Sequence, residues 1–170
     1  MDGNNAPTSN PATANTTIGD QWFSTLTGDL VLQSTGDIIF DASAPGGVAG
    51  DGQNVVAFGN DLTLQAGNDG LNGPGVIEFK NDGWRITGNG GNALDNLRII
   101  APGNISLGDA TLEMGDSFFV LDSEAAIDMG TATVTMAPIS NVNALVLESV
   151  GLLNMNASNI VVNGTGGGGN

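Results

Sequence analysis

The chain has 170 residues, of which 27 are Gly and 20 are Asn, and it contains no Cys, His or Tyr. Eighteen acidic residues stand against three cations, Lys80, Arg85 and Arg98, for a net charge of −15. These counts exclude a disulfide framework, a Cys/His metal centre and a Ser–His or Cys–His nucleophile, and a direct nucleic-acid partner, which needs a basic face to neutralise phosphate.

In chain order, residues 1–19 (MDGNNAPTSNPATANTTIG) are polar and broken by Pro7 and Pro11, so nothing in them can bury a face. They read as a flexible attachment arm. They have neither a basic n-region nor an apolar h-region, so no secretory signal is expected. No apolar run approaches the length of a membrane span, and the negative charge would be repelled by an anionic membrane surface. Trp22 and Phe23 close the arm. They are candidate anchors on a partner surface, because exposed aromatic residues usually have a partner; the alternative is that they close the first layer of the following domain.

From residue 20 to 162 the pattern changes to short apolar pairs of period two. They begin with Leu30/Leu32, Ile38/Phe40, Val56/Phe58, Leu62/Leu64, Ile77/Phe79 and Trp84/Ile86. Leu97/Ile99, Ile105/Leu107, Leu112/Met114, Phe118/Val120 and Ile127/Met129 follow, and Val134/Met136, Leu145/Leu147, Val150/Leu152 and Ile160/Val162 close the series. Each pair predicts a short strand with one buried face. Gly, Asn, Asp, Ser or Thr punctuates almost every gap. The best helical stretch, 123–128, is too short to stand alone. Residues 163–170 (NGTGGGGN) read as a Gly-rich disordered tail.

The expected fold class is therefore all-β: a short-strand β-solenoid or an intertwined trimeric β-prism, with an extended N-terminal arm. A sandwich spaces its turns more widely. The units repeat visibly: GDLVLQST at 28–35, GDIIFDAS at 36–43, NDLTLQAG at 60–67 and GNISLGD at 103–109. A unit this small must stack on a neighbour or on another chain to bury its apolar face. Closed symmetry, most simply a homotrimer, would supply the rest of the core. Asn and Thr in the turns can form hydrogen-bonded ladders between stacked units.

GDLVLQSTGDIIFDAS (28–43), NDLTLQAGN (60–68) and GVIEFKNDGW (75–84) resemble the short repeats of bacteriophage virion fibre proteins, found in tail, neck and head fibres of marine and cyanobacterial phages. The resemblance covers roughly residues 28–120. It implies a homotrimeric structural protein located in the virion, held by its N-terminal arm to capsid or tail proteins. The resemblance further implies action by binding, stabilisation or host attachment, with a host surface glycan as a candidate partner and no cofactor. The L-T-L-x-A-G unit is also similar to filamentous-haemagglutinin-type secreted adhesins, which form right-handed β-helices. A tailspike-type polysaccharide-degrading enzyme is the third alternative.

The acids raise the enzymatic question. Glu113, Asp116, Asp122, Glu124 and Asp128 are the candidates, because a glycosidase needs two carboxylates roughly 5–9 Å apart. On a strand, residues 122 and 124 share a face about 7 Å apart. Few aromatic residues are available to desolvate one acid, so the plainer reading is that these are solvated acids and no catalytic residue is expected. Gly90–Leu97 (GGNALDNL) is one residue away from a calcium-binding β-roll repeat, with Ala93 in place of a Gly. A single copy cannot complete such a site, and no metal ligand is assigned. Asp82-Gly83 predicts a two-residue hairpin pairing Phe79 with Ile86. That register sets Lys80 opposite Arg85, with Glu78 diagonal to Arg85. Relief by acids of another chain would make Lys80, Arg85 and Arg98 an inter-subunit contact; the alternative is that they are plain surface residues.

Overall fold

A computed structural model describes residues 8–10, 15–18, 20–41, 54–67, 73–80, 82–115, 118–137 and 145–163. The predicted Gly-rich tail lies outside them from residue 164 onward, and so does Asp116. Within the arm, β1 (Thr8–Asn10) and β2 (Asn15–Thr17) pair antiparallel as a sheet of their own. A 3₁₀ helix, Asp20–Thr25, follows.

Among the described residues, the remaining fifteen strands form five coils of three. The first coil is β3 (Leu30–Gln33), β4 (Ile38–Phe40) and β5 (Val55–Ala57). The second is β6 (Leu62–Gln65), β7 (Ile77–Phe79) and β8 (Arg85–Thr87). The third is β9 (Leu97–Ala101), β10 (Ile105–Ser106) and β11 (Thr111–Met114). The fourth is β12 (Phe119–Ser123), β13 (Ile127–Asp128) and β14 (Thr133–Met136). The fifth is β15 (Leu145–Ser149), β16 (Leu153–Asn154) and β17 (Asn159–Val162). Each strand pairs parallel with its counterpart one coil away, giving three five-stranded sheets. The architecture is a β-solenoid, which decides between the two expected forms: the apolar face of each unit is buried by the next coil of the same chain. Four steps of about 4.8 Å make the stack roughly 19 Å tall.

The repeated letters now have a geometric meaning. GDLVLQST lies on NDLTLQAG, with Leu30 over Leu62 and Leu32 over Leu64. GDIIFDAS is the next side of the same coil and lies on the GVIEF segment, with Ile38 over Ile77 and Phe40 over Phe79. Inward columns run up the axis: Leu62, Leu97 and Phe119 in one sheet, Ile77, Ile105 and Ile127 in the second, Val56, Ile86, Leu112 and Val134 in the third. All of these are buried. The first coils carry the aromatic filling: Phe40 stacks on Phe79 with centroids 4.1 Å apart and meets Trp84 edge-on at 5.4 Å. Such contacts add to the burial term.

Three expectations are corrected. Asp82-Gly83 is not a hairpin, because β7 and β8 belong to different sheets and Gly83, with φ of +66°, turns a corner between them. The inward pair of β12 is Phe119/Leu121 and not Phe118/Val120. Val150 and Leu152 do not form a strand pair either: they lie on the corner between β15 and β16 and face outward.

Candidate functional site

Side chains at the strand starts tie one coil to the next. Before the first sheet, Asp29 Oδ1 accepts the Asp61 amide at 3.4 Å. Asp61 Oδ1 accepts the Asn96 amide at 3.2 Å and its Nδ2 at 2.6 Å. Asn96 Oδ1 then accepts the Phe118 amide at 3.1 Å. Phe118 occupies the next position of this column without an acceptor, and the guanidinium of Arg98 lies 4.7 Å from its ring centroid. A second column precedes the next sheet: Asp37 Oδ1 accepts from the Val76 amide at 2.9 Å, and Asn104 Oδ1 from the Ala126 amide at 3.2 Å. Asp109 Oδ1 accepts the Gly83 amide at 3.0 Å, and Gln33 Nε2 donates to Gln65 Oε1 at 2.7 Å. The predicted ladders exist, and acids as well as amides build them.

The corner between the first two sheets is a column of small residues. Gly36, Gly67, Gly75 and Gly103 form a chain of backbone hydrogen bonds, 3.3, 2.7 and 2.9 Å long. A Cβ on Gly75 would strike the Gly67 and Gly36 carbonyl oxygens, so this corner admits no side chain. Higher in the stack, buried Ser123 serves the same corner: its Oγ donates to the Gly103 carbonyl at 2.8 Å and accepts the Ala125 amide at 3.0 Å.

The structure separates the residues singled out in the sequence. Phe23 is only 3 % exposed, inside the core of the domain, and the 3₁₀ helix that carries it packs on β5. Trp22, half-buried, meets Phe23 edge-on at 5.5 Å. The pair offered as an external anchor thus closes the first coil, and only the Trp22 ring retains partial exposure. The three cations sit at three different places with partners in their own chain. Lys80 Nζ lies 3.4 Å from Glu78, which relieves Lys80 and not Arg85. Arg85 Nε donates to Glu113 Oε2 at 3.1 Å, from the second coil to the third. The Arg85 hydrogen bond, with a further one from Thr87 Oγ1 at 2.9 Å, holds the Glu113 carboxyl below its ordinary pKa against a smaller opposing effect of burial. Arg98 rests on Phe118.

Among the acids considered for catalysis, Glu113 is therefore engaged in an ion pair. Asp122 lies on β12 facing outward, in register with Glu148 of the last coil. With Glu124, Gln65, Ile100 and Pro102 it lines an open groove of about 370 Å³. Asp128 accepts the Gly130 amide at 3.0 Å and lines a second open groove with Asp109 and Thr131. In the segment likened to a β-roll, Asn89 and Asn92 bridge a tight turn through Gly90 and Gly91, both at positive φ, and Leu94 is buried. Among the described residues, no three acids gather to hold a metal ion.

The arrangement defines a three-sheeted parallel β-solenoid whose first coil is closed by the 3₁₀ helix and whose fifth coil, among the described residues, has nothing stacked on it. No protein-family model matches the chain, and no curated protein and no solved structure matches it at a significant level. Sequence reasoning missed the apolar surface of the last coil. Val150 is 82 % and Leu152 70 % exposed, and Leu153, Met155 and Val162 are also exposed. The signal was present in the letters SVGLL at 149–153, where the residues below are Glu124 and Pro102 under Val150, and Ala126 and Asn104 under Leu152.

Proposed function

We propose that this chain is a structural protein of a phage particle, a fibre or capsid-decoration element that works by binding and stabilisation and not by catalysis. One observation carries the non-catalytic part: Asp29, Asp37, Asp61, Asp109 and Glu113 are bonded across coils, so these five acids, Glu113 alone among the catalytic candidates, serve as struts of the stack. The phage setting rests on the resemblance of residues 28–120 to virion fibre repeats. Capsid or tail proteins are the proposed partners, reached through residues 1–19, with a host surface glycan at the far side. Three chains were expected because a single unit cannot close a core; here the core closes within one chain, so that argument for a trimer loses its premise.

Mass spectrometry of purified particles, with antibody labelling against the solenoid, tests the proposal. The expected result is the chain at stoichiometric level on the particle, lost when residues 1–19 are deleted while strand-rich circular dichroism remains. Degradation of host polysaccharide by the purified chain, abolished in Asp122→Asn/Glu124→Gln, would instead promote the enzyme.

A second reading has a specific observation in its favour. A parallel solenoid closed within one chain is the architecture implied by the filamentous-haemagglutinin-like unit, so a secreted adhesin remains the rival. Recovery from the cell exterior independent of particles would favour it.

A further inference from the structure

The two ends of the stack are unlike. At the first coil, Phe23 is buried and Ile18, Trp22 and Leu26 pack against the core. At the fifth coil, inward Leu145, Leu147 and Ile160 are only half-buried, and inward Leu153 and Val162 are exposed. Among the described residues, β15, β16 and β17 have a neighbour on one side only, as β3, β4 and β5 do at the first coil. Such an edge is a template for further pairing.

The last coil differs in its outward corner as well. Hydrogen-bond register places Val150 above Glu124 and Leu152 above Ala126. An uncovered end of a core would not by itself need apolar residues on the outside corner. Charge is withdrawn in the same place: residues 145–163 contain a single ionisable side chain, Glu148, in a chain of net charge −15. Self-association of so acidic a protein is opposed by long-range repulsion everywhere except at a surface emptied of charge.

We propose that the fifth coil is an interface for a second copy of this chain, joined end to end about a two-fold axis. The opposite end is the poorer partner surface, because the 3₁₀ helix packs on β5 there and Phe23 enters the core; the same surface meeting itself about a two-fold axis closes at two. Two copies meeting this way bring their edge strands together antiparallel. An axis through Leu147 sets Glu148 opposite the partner's Val146 and keeps the two carboxylates from facing each other directly. The inward leucines of both copies then continue one core.

The test is analytical ultracentrifugation of the full 170-residue chain and of Val150→Glu/Leu152→Asn, which gives the last corner the residues found at positions 124 and 104 below it. The wild type is expected to sediment as a dimer, and the variant as a monomer with unchanged circular dichroism. These side chains face outward, so the fold does not depend on them. A spin label on Glu148→Cys is expected to report a much shorter inter-copy distance than one on Asp29→Cys. A wild-type monomer at all concentrations, a trimer, a dimer indifferent to the double substitution, or equal distances from the two labels would each overturn the proposal.

Discussion

The two ends of the solenoid use the same backbone and differ in what lies on it. At the closed end, aromatic side chains from a 3₁₀ helix complete the first coil, and Asn89 Nδ2 ties that helix down through the Ser24 carbonyl at 2.9 Å. At the open end, polar side chains have no coil above them and turn to their own loop: Asn154 Oδ1 accepts the Asn156 amide, and Ser158 Oγ donates to the Met155 carbonyl. In the middle, Asp61 and Asn96 reach across to the next coil, although Asp128, in register with Asn154, also turns to its own loop. A stacked fold draws stability from its interfaces, so the same substitution should cost much at the closed end and in the middle, and little at the open end.

The largest expected contrast is between Phe23→Ala and Leu153→Ala. Removing a buried Phe leaves a cavity and costs about 3–5 kcal/mol. Leu153 lies on the open end and retains much of its exposure, so its truncation should cost about 1 kcal/mol or less. Urea unfolding of both variants, made in the Val150→Glu/Leu152→Asn background to remove self-association, measures the difference. Equal losses would mean that the 3₁₀ helix is not what closes the first coil.

Next comes the corner. Gly75→Ala forces a Cβ against two backbone carbonyls that cannot rotate away, so about 1–3 kcal/mol of overpacking strain is expected. Gly73, by contrast, has open space around it, and its cost would come from its positive φ alone. Thermal unfolding with Gly75 less tolerant than Gly73 would place the tightest constraint inside the glycine column.

The ladder is third in size. Asn96→Ala removes the acceptor of the Phe118 amide and one donor to Asp61, at a cost of about 1–2 kcal/mol. Asn154→Ala removes only a local bond and should change stability by a few tenths of a kcal/mol. Amide hydrogen exchange gives a sharper readout, because Phe118 should lose protection selectively in Asn96→Ala.

How far the sequence revealed this architecture can be seen in three places. Leu62/Leu64, Ile77/Phe79 and Leu97/Ile99 were legible because period-two alternation is all that a strand on a core requires. Phe118 and Phe119 were not separable, since adjacent aromatic residues fit either face equally; the choice is made by Asn96, one coil earlier, which accepts the Phe118 amide. Asp82-Gly83 misled for a related reason. A positive φ serves a hairpin and a solenoid corner alike, and only the pairing of β8 with β5 and β11 decides between them. The open end was hidden because Val150/Leu152 alternate like an inward pair, and alternation does not say which side is in.

The smallest expected effect comes from the Arg85–Glu113 pair, which ties the second coil to the third while the last coil has no counterpart. Arg85 donates to Glu113, and this holds the carboxyl pKa in the folded state below its value in the unfolded chain, about 4.3. A depressed acid stabilises the fold when ionised. The contribution is therefore fully present above about pH 4.3 and is lost as the pH falls through the lower, folded-state pKa. Both side chains are substantially exposed, 48 % for Arg85 and 36 % for Glu113, so solvent screening keeps the contribution under about 1 kcal/mol. Melting temperatures of wild type and Glu113→Gln between pH 2 and pH 7 measure it. The variant should be slightly less stable near neutrality, and the two curves should converge toward the acid end, with the neutral-pH gap shrinking in high salt. Curves that stay parallel down to pH 2 would show that the pair holds no pH-dependent share of the interface between these coils.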